Sequence, residues 1–258
     1  MKRNHKITKP DGSIKYMKND LKKRLNLNYL NLTNQTRAVG EHKLPSLDCN
    51  TSIIPDYIAL YGHPCEYHKT AYTAVGFWQY DDVFDGINGL YNAIYYQRNS
   101  LLTQYKERFK DVNIFFTPDY SQFGDLDDIE SLYRLKKARI VGLWLSLELR
   151  AVVIPFITFS TLESIHLSLT GLENCSVVAF STKGYVKSQV ERDVLRQAIR
   201  ITVDTLNLTT IVVYDVCRDD SPVNDIFSYA QEKGVNVITP DNTLKTRNKN
   251  KVGRVDAR

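Results

Sequence analysis

Long apolar runs are missing from this sequence. The longest, residues 151–159, is broken by Pro155 and Thr158 and falls far short of the roughly 18–20 residues that cross a bilayer. No membrane partner is expected. The basic residues 1–16 are followed by no apolar stretch, so a secretory signal is not expected either. Cysteine is scarce, with Cys49, Cys65, Cys175 and Cys217 in 258 residues. That is too few for a disulfide scaffold, and a reducing cytoplasm is the expected setting. Cys49, His63, Cys65 and His68 are zinc-capable residue types, but they lack the C-x-x-C and H-x₃₋₅-H arithmetic of a zinc site. No metal is expected. His166 is the only histidine in the second half of the chain, which leaves a Ser/His or Cys/His catalytic pair little to work with.

Several motifs are also absent. There is no G-x-x-x-x-G-K-[ST], no G-x-G-x-x-G, no H-E-x-x-H and no G-x-S-x-G. Ser181-Thr182-Lys183-Gly184 lacks the glycines that turn backbone amides toward a phosphate. Pro118-Asp119 is not followed by the acid-x-Lys that a restriction-type nuclease needs. No cofactor is predicted.

What is present is ordinary globular composition, 43% hydrophobic and 24% charged, in a chain long enough to bury a large core. The net charge of +5 conceals an asymmetry. Residues 1–43 hold 11 Lys/Arg against 3 Asp/Glu, and residues 242–258 hold 6 against 1. Residues 44–241 hold 17 against 25, a balance of −8. Basic ends on an acidic body would hold a nucleic acid through salt-sensitive phosphate contacts, or would be solvated arms. The division expected is a basic, largely flexible N-terminal arm (1–45), a single α/β domain (46–241) and a basic disordered C-terminal tail (242–258).

Seven short β-branched or aromatic runs follow one another at 57–60, 74–79, 112–116, 151–157, 176–180, 210–214 and 235–238. Most lack polar alternation, which is the pattern of strands covered on both faces in a parallel sheet. Helix-length segments separate them. Residues 125–149 open with acids and continue with bases, as the helix dipole prefers, with Ile129, Leu132, Leu135, Ile140, Leu143 and Leu147 near helical spacing. Residues 186–206 place Val190, Val194, Leu195, Ala198, Ile201 and Thr205 on one face and Arg192, Arg196 and Arg200 on the other. The fold class predicted is α/β with parallel β/α units. A barrel-like, incomplete arrangement is preferred because no Gly-rich fingerprint follows an early strand, and an open doubly wound sheet is the alternative.

In either arrangement the carboxyl ends of the strands form the working face. There the sequence places Gln79 and Asp82, then Asp119 and Tyr120, Thr158 and Ser160, Ser181 and Lys183, and Tyr214. Asp82 and Asp119 are candidate acid or base groups. Lys183 is a candidate electrophile or phosphate contact, and Tyr120 and Tyr214 are candidate donors or stacking surfaces. The bland alternative is that these are helix N-caps and turn residues, a role that Ser160 and Asp125 fit well. The many tyrosines sit among acidic neighbours, so a core or protein-partner role suits them better than base stacking.

Five segments together resemble a family of domains of unknown function, numbered 4417, that occurs in Firmicutes, their phages and mobile elements. They are residues 77–84 (FWQYDDVF), 117–121 (TPDYS), 139–144 (RIVGLW), 153–155 (VIP) and 177–184 (VVAFSTKG). Two positions depart from that pattern: Phe159 stands where a tryptophan is expected, and residues 148–150 lack an expected glycine. The family carries no established activity. The resemblance implies a phage or mobile-element setting in a bacterial cytoplasm rather than a mechanism. Three readings stay open: an accessory protein that binds nucleic acid or a nucleoprotein complex through its basic ends, an enzyme with an Asp/Lys/Tyr site on the strand-end rim, and a protein-binding module without catalysis.

Overall fold

Each of the seven apolar runs becomes a parallel strand in the computed structural model, which describes residues 5–8, 11, 13–17, 29–125 and 127–252. The chain opens with an antiparallel pair, β1 (His5–Thr8) and β2 (Ile14–Met17). A short helix α1 (Leu30–Thr33) and a small hairpin, β3 (Ala38–Val39) and β4 (Leu44–Pro45), follow. The repeating part starts with β5 (Tyr57–Leu60) and β6 (Thr73–Gly76). Helices α2 (Asp81–Phe84), α3 (Leu90–Tyr95) and α4 (Asn99–Arg108) lead to β7 (Ile114–Phe116). Next come α5 (Asp128–Leu149), β8 (Val152–Ile154), α6 (Ile165–Leu169) and β9 (Val177–Ser181). Then α7 (Gln189–Thr205), β10 (Thr210–Tyr214), α8 (Ser221–Ile226) and α9 (Ser228–Glu232). The described chain ends with β11 (Asn236–Ile238), β12 (Asp241–Asn242) and α10 (Thr243–Val252).

The parallel strands form two ladders, ordered β12-β5-β6-β7-β8 and β9-β10-β11. Every residue of β5, β6, β7, β9 and β10 is buried, as expected of strands covered on both faces. Strand order follows chain order without the reversal of a doubly wound sheet. The ladders touch at two prolines. Residues 152–154 pair with β7, whereas Pro155 accepts from Ala179 N at 2.8 Å and Ile157 N donates to the Ala179 carbonyl at 3.0 Å. At the other junction β11 pairs with β10, and β12, just beyond Pro240, pairs with β5. A proline has no N–H to give to a ladder, so each lies where the chain changes partner. No single closed ladder forms, and the arrangement is an interrupted one.

The helices show where local pattern was overruled. Asp127 caps α5 by accepting from Glu130 N at 2.8 Å, in place of the expected Asp125, and Arg150 ends the helix in the left-handed region at φ 57°. The middle of α5 is buried without a break from Ala138 to Leu145, Arg139 included, while Ile129 is 79% exposed. A helix covered on most sides has no single apolar stripe. In α7, which starts on a Ser188/Glu191 capping box, the buried positions are Leu195, Ala198, Ile199 and Thr202, whereas Val190 is 73% exposed.

Both expected domain edges move. Of the 1–45 arm, residues 1–4, 9–10, 12 and 18–28 lie outside the described residues. Residues 29–45 pack on the body: Tyr29 stacks on Tyr95 at 4.7 Å, and Leu32 and Leu44 are buried. The tail expected to be disordered from 242 instead supplies β12 and α10, with Asn242 and Lys245 buried. Lys245 Nζ lies 3.0 Å from the fully buried Asp215 and 3.1 Å from Asp220, and the Asn242 amide donates to the Asp215 carbonyl at 2.8 Å. A positive composition is read as solvated only while its acidic partners, 25–30 residues away in sequence, are unknown. Residues 253–258 lie outside the described residues.

Candidate functional site

The strand ends converge on Trp78, two residues beyond β6. Its ring lies 4.7 Å from Phe116 at the end of β7, 5.3 Å from Phe156 after β8 and 4.4 Å from Tyr214 at the end of β10. It folds back over β6 because Gly76 has no side chain: a Cβ there would lie 2.1 Å from Trp78 Cζ3. Above this aromatic floor Lys183 Nζ donates to the Trp78 carbonyl at 2.7 Å.

A cleft of about 430 Å³ opens beside it, built from three successive exit loops. The loop after β7 contributes Asp119, Ser121 and Gln122. The segment after β8 contributes Phe156, Thr158, Phe159 and Ser160, and the loop after β9 contributes Ser181, Lys183 and Tyr185. Parallel strands exit on one side, so residues nearly 70 positions apart meet without any sequence signal of proximity.

Asp119 is partly open to the cleft, yet its carboxyl is pushed up to about 7. Burial is the main cause and the Asp81 charge adds to it, while Lys183 opposes both. Lys183 is held below the usual lysine range by burial, partly offset by Asp119. Asp81 anchors the Asp119 loop: it accepts from Ser121 N at 3.1 Å and Ser121 Oγ at 3.0 Å, and Arg134 donates to it at 3.0 Å. Arg134 also donates to the Ser121 carbonyl at 3.0 Å. The Gln122 Nε2 amide is buried and has no acceptor among the described residues.

Of the residues expected from sequence, Asp119, Lys183, Thr158, Ser160 and Ser181 line this cleft. The other four lie elsewhere. Asp82 is exposed on α2, one residue past the acid that does face the cleft loop. Gln79 accepts from Gly62 N at 2.7 Å and ties the β5 and β6 exits together. Tyr120 points into the core, under Lys137 Nζ at 4.0 Å and edge-on to Phe84 at 5.2 Å. Tyr214 is fully buried against Trp78, and burial raises its phenol above the ordinary range. Ser160 is not the cap of α6; its N–H donates to the Ser164 hydroxyl at 3.1 Å.

Sequence reasoning missed Asp81, Arg134, Gln122 and Tyr185. The first two lie in segments that were read, but adjacent Asp81 and Asp82 carry no local mark of which one turns inward. The thiols of Cys49, Cys175 and Cys217 are pushed up by burial, to about 12, 11 and 11, so none is a ready thiolate. Among the described residues no group of three or more His, Cys, Asp or Glu is placed to hold a metal ion, and no helix is long and apolar enough to cross a membrane.

No solved structure is significantly similar to this chain. The "Gene 1 protein" of Mycobacterium phage L5 is similar to it, 25% identical over 125 residues that cover 48% of this chain and 54% of that protein. The chain therefore spans about half the length of that curated relative. The sequence profile described as Domain of unknown function (DUF4417) matches residues 36–231, a span that begins with the β3–β4 hairpin packed on the body and contains all three loops of the cleft. With that coverage, the chain belongs to the DUF4417 family.

Proposed function

We propose that this protein is an enzyme that binds a small molecule in the strand-end cleft and moves a proton there. Asp119 is the general acid or base, and Lys183 is the positive group beside the charge that develops. One observation carries this reading: Asp119 and Lys183, delivered by two strand exits on either side of β8, line one cleft and shift each other's protonation. A carboxyl near 7 both gives and takes a proton at physiological pH, which is the condition for efficient general acid–base catalysis. Asp81 and Arg134 act through the loop they pin, and so are positioning residues. The test is a ¹³C NMR titration of the Asp119 carboxyl. A midpoint near 7 is expected, and a midpoint in the ordinary carboxylate range near 4 overturns the assignment.

Nucleic-acid binding through the basic ends is the second reading, and α10 supports it by exposing Arg247 and Lys249. Lys245 does not take part, since it is held inside by Asp215 and Asp220. Gel shifts at two salt concentrations test it. Replacing Arg247 and Lys249 with alanine weakens binding and flattens its salt dependence if α10 makes phosphate contacts, and unchanged binding removes α10 from the reading. A protein partner in the setting of a phage or mobile element fits the same surface only if binding survives loss of these charges.

A further inference from the structure

The cleft has a ligand chemistry of its own, and the following rests on the reading of that cleft as the functional site. Four rings border it. Phe159 and Tyr185 stack at 5.3 Å with 29° between their planes and form one wall. Phe156 is held edge-on by Trp78 at 5.3 Å, and Phe123, half-exposed at the mouth, lies beneath Arg134 at 5.7 Å. Rings fixed in this way offer faces to a flat π-system.

The polar groups narrow the class. Gln122 Nε2 is a buried donor without an acceptor among the described residues, and such a group costs free energy until something accepts from it. Asp119, three residues earlier on the same pinned loop, donates when protonated and accepts when not. A ligand edge that carries a carbonyl beside an N–H satisfies both. The charges exclude ions at the base of the cleft: an anion there meets Asp119 and a cation meets Lys183. Hydroxyls of Thr158, Ser160 and Ser181 complete the lining, and a cleft of about 430 Å³ is in the range of small-molecule sites.

We propose that the cleft binds a flat, uncharged heterocycle with a lactam edge, the chemistry of a nucleobase, its ring against the Phe159–Tyr185 wall and its edge on Gln122 and Asp119. The base is either free in a nucleoside or unpaired in a single strand.

Isothermal titration calorimetry on the full-length chain tests this with uridine and guanosine. Ribose 5-phosphate and N-methylpyridinium serve as the anionic, ringless control and the cationic-ring control. Saturable binding of a nucleoside but of neither control is expected. Phe159→Leu and Gln122→Leu are each expected to weaken it by about tenfold, the loss of one stacking face or one buried hydrogen bond. A short single-stranded oligouridylate that binds more tightly than uridine assigns the base to a strand; equal or weaker binding assigns it to the free nucleoside. The proposal is overturned by absence of binding to both nucleosides and the oligonucleotide, by equal binding of either control, or by variants of unchanged circular dichroism that bind like the parent. Should Phe159→Leu fail to fold, Gln122→Leu, on a half-exposed loop, decides alone. The Asp119 titration is read without ligand, so an ordinary midpoint there removes the proton-transfer role and leaves base binding to be judged by the calorimeter.

Discussion

Trp78 lies flat on Tyr214, with ring centroids 4.4 Å apart and planes 3° from parallel. One residue follows β6 and the other ends β10, so the pair joins the two ladders across the interior just beneath the cleft. Both are buried, and the contact exists only because Gly76 leaves room for the indole.

That dependence makes Gly76→Ala a sensitive probe. A Cβ 2.1 Å from Cζ3 forces Trp78 off its stack, and overpacking of this kind costs about 1–3 kcal/mol. Urea unfolding is expected to show the loss together with a changed tryptophan emission. Trp78→Leu in the same chain is expected to relieve most of the added cost, a coupling that a double-mutant cycle reads directly.

Asp119 makes stability fall as pH rises. Its native carboxyl titrates near 7, above the ordinary value of 3.8. Between those values the unfolded chain has released its proton while the native chain keeps it, so stability declines across about pH 4–7 and is level beyond. Asp119→Asn is expected to match the parent near pH 4 and to be more stable at pH 8. The gain is on the order of 1–3 kcal/mol after allowance for the carboxyl's partial exposure. Thermal melts at the two pH values check this.

Two neighbours move the Asp119 midpoint in opposite senses. Asp81 raises it and Lys183 lowers it. Asp81→Asn is therefore expected to bring the NMR midpoint down, and Lys183→Met to take it up. Asp81→Asn also loosens the Ser121 loop, whereas Lys183→Met leaves that loop's hydrogen bonds in place. A shift of the same sign in both variants contradicts the arrangement.

Lys245 should behave as a buried lock rather than a surface charge. Burial lowers its pKa, but hydrogen bonds and charges from Asp215 and Asp220 outweigh that, and the net shift is upward. Its contribution is then fully present below its ordinary value of 10.5 and is lost as pH rises through the higher native value. Lys245→Met strands a fully buried Asp215, which is expected to cost about 3–5 kcal/mol. Deleting the chain from residue 242 should be similarly destabilising, and both are measurable as a fall in Tm near neutral pH. A dispensable tail would leave the Tm unchanged.

The amino-acid sequence by itself determined the seven strands, the parallel α/β class and the face that carries the cleft. Each strand is a short unbroken run of β-branched and aromatic residues, and residues just past such runs must gather at one end when all strands point the same way. Asp119, Lys183, Thr158, Ser160 and Ser181 were legible on that ground. Tertiary structure alone decided that Asp81 rather than Asp82 turns inward, that Tyr120 and Tyr214 face the core, and that Asn242 and Lys245 are buried. The physical reason is that local periodicity reports how many sides of a segment are covered, whereas the identity of the cover is set by residues far away in the chain. Lys245 reads as a solvated cation until Asp215 is brought to 3.0 Å, and Gly76 reads as a weak strand residue until Trp78 lies over it.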